Sequence, residues 1–98
     1  MRLVNFKGER QGAKNLLSWI TASEQNNKGY ELLRSSDGES FSEIGYVNSK
    51  AQNGNSNSTL NYEYADEKPF TGNNYYRLKQ VDFDGKSTLS NIVLIKVS

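Results

Sequence analysis

The chain has 98 residues, of which 35% are hydrophobic and 11% aromatic, with no histidine, no cysteine and a net charge of +1 from 12 basic and 11 acidic residues. That length supports one domain, residues 1–98, around one core. The composition excludes disulfides, Ser-His-Asp or Cys-His catalysis and the usual His/Cys zinc sites, and it shows neither the clustered basic footprint of a nucleic-acid binder nor an apolar run approaching the ~20 residues of a membrane span.

Short runs of alternating apolar residues recur along the chain, separated by Gly, Asn, Asp and Ser. This is the pattern of an all-β sandwich or barrel. No signal peptide is apparent, because Met1-Arg2 leads straight into a first predicted strand, Leu3–Lys7. Asn15–Ala22 carries Trp, Ile and Thr and reads as a second strand rather than a helix, with Leu17 and Trp19 on one face. Gly29–Ser35 is the third, with Tyr30 and Leu32 together. Asp37-Gly38 then predicts a two-residue hairpin turn, because glycine accepts positive φ without cost. Phe41–Val47 is the fourth strand.

Asn48 to Thr59 is polar and low in complexity, so it is expected to be one long mobile loop. Leu60–Asp66 follows as the fifth strand, with Tyr62 and Tyr64 on one face. In the sixth, Asn74–Asp82, the adjacent residues Tyr75 and Tyr76 must point to opposite sides. Tyr76 and Leu78 are assigned to the core and Tyr75 to the surface. Val81 lies three positions after Leu78, so a β-bulge near Lys79-Gln80 is expected to return both to the core. Asp84-Gly85 predicts a second hairpin turn into a last strand, Ser87–Val97, with Val93, Ile95 and Val97 on one face. Seven antiparallel strands would thus form two inward faces about 10 Å apart.

Leu17-Ser18-Trp19 on the second strand, Tyr30-Glu31-Leu32 on the third and Phe70 six residues before Tyr76 resemble a fibronectin type III or immunoglobulin-like sandwich. The resemblance implies a tyrosine corner, in which the Tyr76 hydroxyl bonds to backbone within Phe70–Asn73. A broader resemblance rests on the runs from Leu17 to Glu31, Arg34 to Phe41 and Tyr75 to Gly85. Together they look like the modules found near the C-terminal end of large bacterial proteins exported by the type IX system, upstream of the sorting domain. That resemblance implies a secreted or cell-surface location and an accessory role.

No acids are paired in a way that singles out catalysis. Asp82-x-Asp84-Gly85 opens like a calcium loop but lacks the further ligands, so it reads as a turn. Glu63, Asp66 and Glu67 read as solvated surface carboxylates, and Glu24 and Arg34 as an ion pair between the second and third strands. Asn57-Ser58-Thr59 fits an N-glycosylation acceptor in form only. Tyr75, with Tyr46 as a second platform, is the candidate surface for a sugar ring or a partner protein. The expected function is therefore a non-catalytic spacer or presentation module, monomeric when isolated and without cofactors. Its partners would be neighbouring domains. The alternatives are a carbohydrate-binding module using Tyr75 and Tyr46, and adhesion to a cell-surface protein through a strand edge or the 48–59 loop.

Overall fold

A computed structural model describes residues 2–98. Eight strands follow one another: β1 (Arg2–Gln11), β2 (Lys14–Ser23), β3 (Asn27–Ser35), β4 (Ser42–Asn48), β5 (Leu60–Asp66), β6 (Gly72–Asp82), β7 (Ser87–Leu89) and β8 (Val93–Val97). They form two antiparallel sheets, one ordered β1-β2-β5 and the other β4-β3-β6, with β7 and β8 both on the far side of β6. The all-β sandwich expected from the alternating pattern is the fold observed.

Alternation decides which residues face inward. Asn74, Tyr76, Leu78 and Gln80 of β6 are buried in sequence, with partly exposed residues between them. The core comprises Phe6, Leu17, Trp19, Tyr30, Leu32, Tyr62, Tyr76, Leu78 and Ile95. Trp19 lies flat on Tyr62, with ring centroids 5.4 Å apart and planes 5° off parallel. Tyr30 meets both rings edge-on, at 5.4 and 4.9 Å. Such pairs add ~0.5–1.5 kcal/mol each beyond the area they bury, which is how a chain of modest hydrophobic content fills its centre.

Four local expectations need correction. The first strand is twice as long as alternation indicates and returns through Gly12-Ala13, where Gly12 takes φ 61°. The last strand is interrupted at Ser90–Ile92 and becomes β7 and β8, raising the count to eight. The bulge lies on β3 rather than β6: Asn27 pairs with Asp82 and Gly29 with Val81, leaving Lys28 as the extra residue. Val81 stays half-buried on the outer face, and the core position goes to Gln80, whose amide donates to Asn27 Oδ1 at 2.7 Å and to Asp82 Oδ1 at 2.6 Å. A polar side chain is buried there because it is hydrogen-bonded, which hydrophobic alternation does not register.

The two Asp-Gly turns exist but are longer than two residues. At Asp84-Gly85 the loop is Phe83-Asp84-Gly85: Gly85 N–H donates to the Asp82 carbonyl at 3.0 Å and Asp82 N–H to that of Lys86 at 2.8 Å. Gly85 takes φ 91° and Asp84 does not take a positive φ, as in a type I turn closed by a glycine bulge. The loop after β3 spans 36–41. There Ser35 Oγ accepts from the N–H of Asp37 and Gly38, and Asp37 Oδ1 from that of Glu39 and Ser40.

The 48–59 segment is not a free loop. Asn53 and Gly54 have φ 54° and 78°, and Gln52 bridges Asn55 across them. Two adjacent positive φ values define a type I′ turn. Glu24 and Ser56 exchange both backbone hydrogen bonds at 2.8 Å, and Asn27 N–H donates to the Gly54 carbonyl at 3.0 Å. Backbone pairing supplies the order that apolar burial could not.

The molecule measures 40 × 25 × 18 Å. The 11-residue β6 runs ~36 Å at ~3.3 Å per residue, so the strands follow the long axis. Arg2 pairs with Ser23 at one pole, close to Glu24, while Val97 pairs with Gly72 at the other, close to Asp66.

Candidate functional site

Buried polar chemistry concentrates at the two poles. At the first, Glu24 is 1% exposed and forms no salt bridge among the described residues. Four donors converge on its carboxylate: Asn27 Nδ2 and Ser49 Oγ on Oε1, both at 2.6 Å, and Thr21 Oγ1 at 2.8 Å and Tyr62 OH at 2.6 Å on Oε2. They come from β2, β3, β5 and the 48–59 segment. Burial pushes the carboxyl up, but the bonds from Ser49, Tyr62, Asn27 and Thr21 together hold it below its ordinary value. All acceptor sites are filled from within the chain, so the arrangement clamps strands together. The neighbouring Tyr30 phenol, which accepts from Asn27 at 3.0 Å, is driven well up by burial and then by the charge on Glu24.

At the second pole, Arg34 reaches from β3 to Asp66 on β5, with Nη1 2.9 Å from Oδ2 and 3.1 Å from Oδ1. The expected Glu24–Arg34 pair therefore does not form. Each partner instead joins the pole to which the sandwich register carries it. Asp66 is not a surface carboxylate either: it is 6% exposed. Glu63 and Glu67, by contrast, are exposed.

The tyrosine corner is also replaced. Tyr76 OH donates to Asp66 Oδ2 at 2.6 Å and accepts from Asn15 Nδ2 at 2.9 Å. Its phenol is pushed well up by burial and then by that bond to Asp66. The Phe70 backbone is bridged by Asn74, which accepts from Phe70 N–H and donates to Phe70 O, both at 2.8 Å. Phe70 itself is 41% exposed, with the Arg34 guanidinium 4.1 Å over its ring. The other residues assigned structural roles, Trp19, Leu17, Tyr30, Leu32, Tyr76 and Leu78, are all fully buried or nearly so.

The surface candidates are separated. Tyr46 and Tyr75 share the outer face of the larger sheet, but Tyr46 lies in the row of Glu31 and Lys79, and Tyr75 in that of Ser35. Two strand spacings, across β3, and four residues separate them, roughly 16 Å, and Glu31, Leu33, Arg77 and Lys79 occupy the space. Tyr75 is half-buried, lying in contact distance of Gly38. Tyr46 is exposed, and its phenol is pushed up by partial burial and the nearby charges of Glu31 and Glu43.

A cleft of about 180 Å³ opens between β1 and β7, lined by Leu3, Tyr30, Leu78, Gln80, Thr88, Leu89 and Ser90. Among the described residues, no three His, Cys, Asp or Glu side chains converge to hold a metal. At the Asp84-Gly85 turn the carboxylates are engaged locally, Asp82 by Gln80 and Asp84 by Lys86 N–H at 3.0 Å.

Sequence reasoning missed the Glu24 cluster, because no periodicity marks a carboxylate satisfied by uncharged donors. One signal did point to the segment that covers it. Asn53-Gly54 is a strong hairpin dipeptide, hidden within a polar stretch.

Fold and site together define an antiparallel β-sandwich whose buried polar groups are spent on holding strands to one another. No family model and no curated protein matches the sequence. Solved structures of similar fold exist. Two crystal structures of pectate lyase Pel3 from Pectobacterium carotovorum superpose with TM-scores of 0.69 and 0.72, at 17% and 16% identity, over 95% of this chain and 26% of theirs. A β-1,2-glucanase from Parabacteroides distasonis gives a TM-score of 0.68 at 17% identity over 97% of this chain and 13% of its own. The chain thus spans about a quarter of the first two structures and about an eighth of the third.

Proposed function

We propose that the chain is a non-catalytic accessory module of a secreted or cell-surface multidomain protein, built on the fibronectin type III plan. The observation that carries this reading is the position of Arg2 and Val97 at opposite poles of a 40 Å axis. Such a module holds whatever flanks it a fixed distance apart. Strand order supports the fibronectin-like plan: first, second and fifth strands face third, fourth and sixth, and β7 with β8 act as one interrupted seventh. The resemblance to modules preceding a type IX sorting domain supports secretion. Similar folds form minor parts of proteins named a pectate lyase and a glucanase, so we take a carbohydrate-active catalytic domain as the kind of neighbour this module serves. Fold alone does not assign that role.

The test uses the full-length gene product in three forms: intact, lacking this segment, and with an unrelated sandwich of equal pole-to-pole length in its place. The expected result is that deletion impairs action on the natural substrate and replacement restores it. Turnover of any glycan or peptide by the isolated domain would overturn the reading.

A further inference from the structure

We propose that the cleft between β1 and β7 is a binding site for a small monocyclic phenol, whose hydroxyl donates to Gln80 Oε1. The proposal goes beyond the accessory reading and does not depend on it. The cleft exists because the interrupted last strand closes the sandwich only along its second half. β8 packs tightly against β1: a Cβ added at Gly8 would lie 2.9 Å from Ile95 Cδ1. β7 stands off from β1, and the gap of about 180 Å³ lies between them. Register shows how the gap is built. Tyr30, Gln80 and Thr88 are paired across β3, β6 and β7, so they form one inward row. Leu78, paired with Leu32 and bonded to Ser90, belongs to the next. Leu3 of β1 faces these rows from the other sheet.

Gln80 supplies the polar point of the site. It is 3% exposed, and its amide N–H₂ donates to Asn27 Oδ1 at 2.7 Å and to Asp82 Oδ1 at 2.6 Å. Those two acceptors fix which way the amide points, since the reverse orientation would set its oxygen against theirs. Oε1 accepts no hydrogen bond among the described residues and is not sealed off from solvent. Its open side is the cleft. Ser90 is satisfied, accepting from Leu78 N–H and donating to the Asn91 carbonyl, both at 2.8 Å. An apolar cavity of ~150 Å³ holds one benzene ring, so this cleft takes one ring and a substituent. The free acceptor selects a donor on that ring. A phenol O–H, with a pKa of ~10, is neutral at pH 7 and donates more strongly than an alkanol. A sugar would leave its peripheral hydroxyls unpaired against Leu3 and Leu78. Asp82, and Glu24 beyond Asn27, stand behind the Gln80 amide and repel an anionic ligand.

NMR of the isotope-labelled chain, titrated with p-cresol and separately with toluene, tests this. The expected result is saturable p-cresol binding with a dissociation constant below about 1 mM, within reach of a ligand this small. The shifts should centre on the Leu3 and Leu78 methyl groups. The Gln80 side-chain carbonyl carbon should move several times further with p-cresol than with toluene, which cannot donate to it. Gln80→Met is expected to move the preference about tenfold toward toluene, the effect of one neutral hydrogen bond lost. Gln80 also ties Asn27 to Asp82, so a second variant guards against loss of folding. Thr88→Trp, at an exposed position on the lip of the cleft, should fill it and weaken p-cresol binding at least about tenfold, with the rest of the spectrum unchanged. Absent saturation, shifts scattered over other surfaces, or p-cresol binding undiminished in Thr88→Trp would overturn the site. Equal carbonyl shifts with the two ligands, or an unchanged preference in a folded Gln80→Met protein, would overturn the phenol assignment. Neither failure touches the accessory reading, which is tested on the full-length gene product.

Discussion

The Tyr76 hydroxyl donates a 2.6 Å hydrogen bond to Asp66 Oδ2, and the same carboxylate holds Arg34 at 2.9 Å. Tyr76 stands on β6, Asp66 on β5 and Arg34 on β3, so one carboxylate ties the two sheets at one pole. Asn15 of β2 completes the cluster by donating to Tyr76. Tyr76→Phe removes a donor and an acceptor from buried partners and is expected to cost ~1–3 kcal/mol. Asp66→Ala should cost more, ~3–5 kcal/mol, because it leaves Arg34 without its counter-charge. Urea denaturation of both variants measures this. A Tyr76→Phe protein as stable as the parent would mean that the ring's packing, and not its hydroxyl, is what matters.

Trp19 stacks on Tyr62 and is fully buried, while its Nε1–H has no acceptor among the described residues. Its contribution is therefore packing. Trp19→Ala opens a cavity that its aromatic neighbours Phe6, Tyr30 and Tyr62 cannot close and should cost ~3–5 kcal/mol, a large share of the ~5–15 kcal/mol typical of a domain. An unchanged melting temperature would contradict its place in the core.

Inward faces were readable from sequence because burial and alternation agree where the buried residues are apolar. Leu17 and Trp19, Tyr30 and Leu32, and Tyr76 and Leu78 all fall where period-two spacing puts them. The reading failed where burial is polar. Glu24, Asn27 and Gln80 are nearly as deeply buried as the leucines, yet each is stabilised by a partner far away in sequence. Gln80 depends on Asn27, 53 residues earlier, and Tyr62 on Glu24, 38 residues earlier. No local pattern encodes such a partner. The tyrosine corner illustrates the same limit: the Phe70–Tyr76 spacing is present, but Asn74 satisfies the corner's backbone first and Tyr76 turns to Asp66.

The pinned 48–59 segment makes a prediction opposite to that for a mobile loop. Hydrogen exchange should show slow amides at Glu24, Asn27 and Ser56, whose N–H groups are bonded within the bridge. Gly54→Ala should be costly, since its φ is 78° and a Cβ would lie 2.7 Å from the Asn27 carbonyl. Left-handed backbone alone costs ~1–2 kcal/mol for alanine, and the clash adds to it. At about 4–8 °C per kcal/mol for a domain of this size, the melting temperature should fall by at least ~5 °C. Exchange at unstructured rates in the parent protein would show that the bridge does not hold.

Glu24 sets the acid limb of stability. Four hydrogen bonds keep its folded carboxyl below the ordinary value despite burial. A depressed folded value means the unfolded chain takes up the proton first, so stability falls as pH falls. The contribution is complete above the ordinary glutamate value of about 4.3 and is lost as pH drops through the lower folded value. Asp37, held at about 2 by the backbone N–H groups of Ser40 and Glu39 and by the Ser35 hydroxyl, acts in a lower window, between about 3.9 and about 2, and its own titration can be followed by NMR. Glu24→Gln removes the charge and points an amide N–H₂ at groups that need an acceptor. It should cost ~2–4 kcal/mol at pH 7 and flatten the stability curve as pH falls through and below about 4.3. Denaturation across that range compares the two proteins. Parallel curves would mean that the carboxylate's protonation is not linked to folding, even if the Gln variant is less stable throughout.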